Sequence, residues 1–188
     1  MIDFEQITLG ILAGGRALRL DGADKALLTL GNETLLERTL RGFPGNYFER
    51  LLSYNRAAAS APAPGLRVIP DERPDFPGPL AALEALAAAC RSPWLLTVPV
   101  DCRDVPESLA SGLIARVGPD GVLLRDADGL QPLIALWRVD ALRPAIAAAF
   151  AAGEFAVHRL TLRLDLRSHD ISPARLGNLN TPADFAAP

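Results

Sequence analysis

Short apolar runs alternate with segments of helical periodicity along the chain. The runs at 7–12, 50–54, 66–69 and 94–100 have the length of strands, and the last of them carries no charge. An uncharged run of this length is typical of a strand buried on both faces. Strands that alternate with helices predict a mostly parallel sheet that is covered by helices.

The remaining elements follow from the same periodicities. The predicted helices run from Leu35 to a stop at Gly45, over 79–90, from Pro106 to Arg116, from an Asp140 cap to Ala152, over 154–162 and over 182–187. Strands at 122–124 and 133–137 are predicted to pair across the turn at 126–129, and a last strand is predicted at 164–169. The predicted fold class is α/β: a single-domain, mostly parallel, Rossmann-like sheet with helices on both faces, over residues 1–188.

Composition narrows the range of partners. The chain has 188 residues, 49% of them hydrophobic, and a net charge of −3. An acidic balance argues against general nucleic-acid binding, and no apolar run reaches the ~20 residues that span a membrane. The N-terminal residues lack the pattern of a signal peptide. The two cysteines, Cys90 and Cys102, form no metal or disulfide pattern, so a cytoplasmic location is expected.

A glycine-rich loop follows the first predicted strand. Residues 12–25 read Leu-Ala-Gly-Gly-Arg-Ala-Leu-Arg-Leu-Asp-Gly-Ala-Asp-Lys. The paired glycines let backbone N–H groups approach an anion closely, and Arg19 and Lys25 add the positive charge that a triphosphate needs. A hairpin with stray surface charges would explain the glycines but not both cations. The spacing fits neither the P-loop nor the dinucleotide fingerprint. The residues predicted to bind nucleotide here are Leu12, Ala13, Gly14, Gly15 and Lys25.

Polar residues also follow three other predicted strands. Ligands of open α/β sheets bind outside the carboxyl ends of the strands, where Asn55, Asp71 and Asp101 are expected. Asp101 suits Mg²⁺, which usually takes one or two protein carboxylates together with phosphate oxygens. The nearby Asp104 is interpreted instead as a helix cap.

Each remaining candidate has a functional and a structural interpretation. Lys25 would stabilise charge as pyrophosphate departs and Arg19 would hold the β- or γ-phosphate, because phosphoryl-type transfer depends on positioning and charge neutralisation. Asn55 would bind the base or ribose, or would form a turn. Asp71 would accept a hydrogen bond from a nucleotide base, would hold a basic neighbour, or would lie in a solvated loop. Gly78 would allow close approach before a helix N-terminus.

The same residues carry a resemblance that extends over nearly the whole chain. Besides the glycine loop, the motifs are Asn55 in Ser-Tyr-Asn-Arg, Ile69-Pro-Asp71, Phe76-Pro-Gly-Pro-Leu80, Val98-Pro-Val-Asp101, Gln131-Pro-Leu-Ile-Ala-Leu136 and Asn178-Leu-Asn-Thr-Pro182. Their order and spacing resemble the molybdenum cofactor guanylyltransferase family of nucleotidyltransferases.

The resemblance implies a function and several site residues. The implied reaction transfers GMP from GTP to the terminal phosphate of molybdopterin and releases pyrophosphate. It implies that Asp101 holds Mg²⁺, that Asn55 contacts the base, and that Asn178 and Asn180 lie near the acceptor. Asn180 is alternatively a second metal ligand. Proteins that deliver the cofactor would be further partners.

Two departures and several alternatives remain open. Asp21 stands where the family usually has a small residue, which affects phosphate binding. Ala82 stands where the family usually has a glycine, which affects how the pterin end of the acceptor fits. No Ser-His-Asp or Cys-His set is present, which favours direct in-line transfer. Alternative functions are CMP transfer to molybdopterin, nucleotidyl transfer to a sugar or alcohol phosphate, and a non-catalytic nucleotide-binding delivery module.

Overall fold

The fold is described by a computed structural model for residues 2–13, 25–54, 63–71, 73, 78–179 and 184–185. The strands in these ranges are β1 (Ile7–Leu12), β2 (Thr29–Leu30), β3 (Glu33–Thr34), β4 (Glu49–Ser53), β5 (Leu66–Ile69), β6 (Trp94–Pro99), β7 (Gly121–Asp126), β8 (Gly129–Arg138) and β9 (Leu166–Asp170). The α-helices are α1 (Leu35–Gly42), α2 (Pro79–Ala89), α3 (Leu109–Ala115), α4 (Val139–Ala151) and α5 (Val157–Leu160).

Seven of these strands form one sheet in the order β5-β4-β1-β6-β8-β7-β9. Neighbours from β5 to β6 pair in parallel, β8 is antiparallel to both β6 and β7, and β9 is parallel to β7. The predicted fold class, a mostly parallel Rossmann-like sheet, is confirmed. The single-domain organisation over residues 1–188 stays a prediction.

Helices cover both faces of the sheet because successive strand residues point to opposite sides. Leu52 and Leu96 pack into a core with α1 and α3. Their neighbours Leu51 and Leu95 pack into a second core with α2, α4 and α5. Strand β1 is buried along its whole length, as its central position in the sheet requires.

Several predicted helix ends differ from the observed ones. Helix α1 ends at Gly42 rather than at Gly45. Helix α3 begins at Leu109, and its N-cap is Ser108, so the predictions of a start at Pro106 and an Asp104 cap are wrong. The N-cap of α4 is Arg138, and Asp140 lies in the first helical turn, where it pairs with Arg138.

The C-terminal third contains a hairpin and a returning strand. Strands β7 and β8 pair as predicted, and the last pair of the ladder joins Asp126 to Gly129. The helix predicted over 154–162 is shorter, because α5 passes into a 3₁₀ turn at Thr161–Arg163. Of the terminal helix predicted over 182–187, only 184–185 lie in the described residues, and they are helical. No helix in the described ranges is long and apolar enough to cross a bilayer.

Candidate active site

Four parallel strands end at one edge of the sheet, and the described candidate residues lie along it. The N–H of Ala13 donates to the carbonyl oxygen of Ser53 at 3.2 Å, and the N–H of Val100 donates to that of Leu12 at 3.1 Å. The ends of β4, β1 and β6 are therefore held side by side. Leu12 and Ala13 lie at the centre of this edge, where their backbone groups begin the glycine-rich loop.

Lys25 and Asp101 meet at this edge although they are 76 residues apart in the chain. The Lys25 Nζ lies 2.5 Å from the Asp101 Oδ2. Both side chains are largely enclosed, with 17% and 14% of their area exposed. The two residues predicted to act on the phosphates are thus brought into direct contact.

The segment that carries Asp101 is fixed by helix α1. The hydroxyl of Thr39 donates to the carbonyl oxygen of Val100 at 3.2 Å, and the guanidinium of Arg38 donates to that of Arg103 at 2.7 Å. Helix α1 is itself held at its start by a capping box, in which Thr34 and Glu37 exchange hydrogen bonds at 3.1 and 2.8 Å. The backbone on both sides of Asp101 is therefore attached to helix α1.

Asn178 lies beside the same segment. It pairs with Cys102 in an isolated antiparallel bridge, and the N–H of Leu179 donates to the carbonyl oxygen of Asp101 at 2.9 Å. The side chain of Asn178 is exposed. The resemblance implies that Asn178 lies near the acceptor, and the structure pairs its backbone with Cys102, the residue after Asp101.

Asp71 lies at the far end of this edge. Its carboxylate accepts a hydrogen bond from the buried hydroxyl of Ser53 at 3.1 Å. The Asp71 carboxylate thus lies at the end of β4, which is two strand spacings, or about 10 Å, from β6, so Asp71 and Asp101 lie well apart along this edge. Gly78 is the N-cap of α2 and has a φ of +78°, which favours glycine there, whereas a Cβ at this position would meet open space.

The other candidates fall outside the described residues. They are Gly14, Gly15, Arg19, Asp21, Asn55 and Asn180.

Comparison with known proteins identifies the family. The family model described as "MobA-like NTP transferase domain" matches residues 9–167. The chain belongs to the MobA-like NTP transferase family. It is similar to a molybdenum cofactor guanylyltransferase of Burkholderia vietnamiensis, 41% identical over 160 residues that cover 79% of this chain and 78% of that one. A molybdenum cofactor guanylyltransferase of Polynucleobacter asymbioticus is 32% identical over 193 residues, covering 98% and 96%.

Solved structures support the fold of this MobA-like transferase. A molybdopterin-guanine dinucleotide biosynthesis protein A from Archaeoglobus fulgidus superposes with a TM-score of 0.73, 18% identity and 95% coverage of both chains. A 2-C-methyl-D-erythritol 4-phosphate cytidylyltransferase from Thermus thermophilus gives a TM-score of 0.68, 20% identity and 94% coverage of both chains. The identities are low, so these likenesses concern the fold alone.

Sequence reasoning on this MobA-like chain missed two clusters of polar residues. Asp126, assigned only to a turn, is buried and accepts hydrogen bonds from Gln131 and Leu176. Arg73, which the sequence analysis did not single out, forms two hydrogen bonds with Glu84 and stacks on Phe150. Gln131 lies in the motif Gln131-Pro-Leu-Ile-Ala-Leu136, which was the one local indication of the cluster around Asp126.

Cys102 is a buried residue next to Asp101. It is 4% exposed, and burial together with the neighbouring Asp101 raises the pKa of its thiol far above the ordinary range. A neutral thiol is a poor nucleophile. The cysteine beside the ion pair is therefore a poor candidate for a nucleophile in this MobA-like chain.

Proposed function

We propose that this chain transfers GMP from GTP to the terminal phosphate of molybdopterin, forming a guanine dinucleotide cofactor and releasing pyrophosphate. The observation that carries the proposal is the Lys25–Asp101 pair at the carboxyl edge of the sheet, in a chain whose relatives are named molybdenum cofactor guanylyltransferase. Asp71 would accept from the guanine base at the far end of this edge, and Asn178 would face the acceptor.

The proposed step is a direct displacement at the α-phosphorus. An oxygen of the acceptor phosphate forms the new P–O bond while the bond to the pyrophosphate oxygen breaks, so the departing diphosphate carries away the electron pair. Lys25 would stabilise the charge that develops on the phosphate oxygens, because a preorganised cation acts most strongly in an enclosed site. The neutral thiol of Cys102 supports a route without a covalent enzyme intermediate.

Asp101 would hold Mg²⁺ in this proposal. The described residues contain no group of three or more His, Cys, Asp or Glu that could hold a metal ion. A single carboxylate still fits Mg²⁺, because this ion is commonly bound by one or two carboxylates together with substrate phosphates. When bound, the ion would neutralise phosphate charge, while Asp101 orients it and Lys25 remains within reach of the same phosphates.

The experiment that tests the proposal measures pyrophosphate release by the purified protein with molybdopterin and either GTP or CTP. We expect release that requires both GTP and the acceptor, with CTP a poor substrate. Preferential use of CTP would establish the cytidylyl alternative instead. Tight GTP binding by calorimetry without any release would identify a delivery module.

The metal assignment has its own test. Replacing Asp101 by Asn should raise the Mg²⁺ concentration for half-maximal activity and remove most activity, because an amide lacks the charge that attracts the ion. The measurement is a Mg²⁺ titration of pyrophosphate release, with Asp104→Asn as the control. Asp104 is an exposed carboxylate three residues away. Equal half-saturation in wild type and Asp101→Asn would remove the metal role.

A further inference from the structure

A buried carboxylate links the β7–β8 hairpin to the C-terminal segment. Asp126 is 3% exposed. Its Oδ1 accepts hydrogen bonds from the Gln131 side chain and the Asp128 N–H, each at 2.9 Å. Its Oδ2 accepts from the N–H of Leu176 at 3.2 Å. Oδ1 therefore binds the hairpin, and Oδ2 binds Leu176, which is 50 residues further along the chain.

Leu176 begins a short segment, Leu176–Leu179, which we call the strap. The N–H groups of Arg103 and Asp104 donate to the carbonyl oxygen of the first strap residue at 3.0 and 3.1 Å. The N–H of the last strap residue donates to the carbonyl oxygen of Asp101 at 2.9 Å. Both terminal leucines of the strap are buried in the core. The strap thus runs from the buried Asp126 to the backbone of Asp101.

The chemistry of Asp126 fits a positional role. Burial alone would raise the pKa of its carboxyl group, but the hydrogen bonds from Gln131 and from the backbone N–H groups of Leu176 and Asp128 lower it overall. The carboxylate therefore stays charged, and a buried charge is tolerated only where donors surround it. The donors fix its direction, and the carboxylate in turn fixes where Leu176 can lie.

We propose that Asp126 is a positioning residue, which sets the register of the strap against the Asp101–Asp104 segment and thereby places Asn178 on the acceptor side of the active site. This inference rests on the proposed function. It predicts that Asp126 affects recognition of the acceptor and leaves recognition of GTP unchanged, because helix α1 holds the Asp101 segment independently of the strap and Asp71, which would bind the base, lies at the other end of the edge.

The variant Asp126→Asn tests the inference with little change in shape. The carboxylate accepts at both oxygens, whereas an amide offers one oxygen and an NH₂ group. In either orientation the NH₂ group faces an N–H donor, so one link is broken. Asp128→Asn is the matched control. It alters a half-exposed carboxylate of the same hairpin that pairs with Arg175 from the same C-terminal region.

Steady-state pyrophosphate release gives the first readout. For Asp126→Asn we expect the KM for molybdopterin to rise by about tenfold, the effect of losing one hydrogen bond to a charged group, with the KM for GTP unchanged. The control should match wild type in both. A KM for GTP that rises equally, or two unchanged KM values, would overturn the inference. If Asp126→Asn does not fold, Asp126→Ser takes its place.

Amide hydrogen exchange gives a second readout that does not depend on the reaction. The peptide containing Leu176–Leu179 should exchange faster in Asp126→Asn than in wild type and Asp128→Asn, while α2 exchanges at an unchanged rate. Unchanged strap exchange would overturn the positioning role. If wild type released no pyrophosphate with molybdopterin, the proposed function would fail, and faster strap exchange would still establish that Asp126 fixes the strap.

Discussion

Lys25 and Asp101 illustrate how a site can depend on two residues that are distant in the chain. Their contact at 2.5 Å is largely enclosed, and each side chain compensates the charge of the other. Such pairs add little net stability, because desolvation offsets most of the attraction. In the proposed function, the pair instead supplies a cation and an anion where phosphates and a metal ion would bind.

Replacing Lys25 by Ala should lower turnover while the protein still folds. Losing one preorganised charge donor costs about 2.7–4 kcal/mol of transition-state stabilisation, which corresponds to about 10²–10³ in kcat. The measurement is pyrophosphate release at saturating GTP, with the circular dichroism spectrum as the check on folding. Arg138→Ala is the control, because it removes an exposed cation from the opposite edge of the sheet. Equal turnover in Lys25→Ala and wild type would contradict the assigned role.

The sequence predicted the bounds of the parallel strands β1, β5 and β6 better than those of the hairpin strands and the start of α3. Strands β1 and β5 have the predicted bounds, and β6 and α2 differ by one residue. Apart from Arg67 in β5 and the threonines of β1 and β6, these elements are apolar or alanine-rich runs, so composition marks their limits. Helix starts depend instead on which backbone N–H groups find partners. Pro106 leads only into a turn that is closed by the N–H of Leu109, and α3 starts after it.

Part of the site was predictable because its residues follow strands whose bounds the sequence indicates. Residues that directly follow strands, such as Asp71 and Asp101, can be placed at one edge of a parallel sheet without any knowledge of packing. Asp126 could not be assigned in this way, because its decisive partner, Leu176, is 50 residues away. No local spacing encodes that contact.

Strand β7 contains a glycine whose replacement should destabilise the fold. Gly121 has a φ of +141°, and a Cβ there would lie 2.2 Å from the carbonyl oxygen of Leu136. Gly129, in the same hairpin, has a φ of +112° but open space around a Cβ. Gly129→Ala should cost about 1–3 kcal/mol for the strained backbone alone. Gly121→Ala should cost more, because a strand must also move.

Urea unfolding of both glycine variants measures the difference. The comparison isolates the cost of the clash with the Leu136 carbonyl oxygen, because Gly121 and Gly129 both have a positive φ. If Gly121→Ala were as stable as Gly129→Ala, the close pairing of β7 and β8 at this position would be incorrect.

The segment after β5 is attached to two helices by one side chain. Arg73 donates to both carboxylate oxygens of Glu84 on α2, at 2.6 and 2.7 Å, and its guanidinium lies 3.5 Å from the ring centroid of Phe150 on α4. Bidentate pairing and stacking are both specific to arginine. The attachment lies two residues after Asp71, the proposed base-binding carboxylate.

Replacing Arg73 by Lys should therefore raise the KM for GTP severalfold, because lysine keeps the charge but loses the fork and the stacking. The measurement is pyrophosphate release at varied GTP, with the KM for molybdopterin followed in parallel. Arg163→Lys is the control, as it alters another arginine that pairs with a glutamate, far from Asp71 in the chain. A KM for GTP that matches wild type would contradict a role in base recognition.

At the scale of the whole molecule, each face of the sheet packs against its own set of helices. On the side of α3, a histidine takes part in the contact between helix and sheet. His169 on β9 is 9% exposed, and a Cβ at Gly112 of α3 would lie 2.4 Å from its Nε2. The Nδ1 atom of His169 is buried without a hydrogen-bond partner among the described residues. Burial without a partner for Nδ1 therefore favours the neutral imidazole in this contact.

This burial predicts how stability depends on pH. Desolvation and then the charge of Arg116 lower the pKa of His169 below 6.5, against an opposing effect of Asp170. As pH falls through 6.5, the unfolded chain takes up a proton before the folded protein does. The stability that neutral His169 contributes is therefore present above pH 6.5 and is lost as pH falls towards the pKa of the folded state, by at most about 1.4 kcal/mol per pH unit for one proton.

His169→Gln, which cannot titrate, should lack this loss in urea unfolding between about pH 7.5 and about pH 5.5. The other histidine, His158, is exposed, so His158→Gln should keep the wild-type slope. Carboxylates shared by all three proteins cancel in the comparison, and equal slopes for wild type and His169→Gln would show that this histidine is not held neutral by the fold.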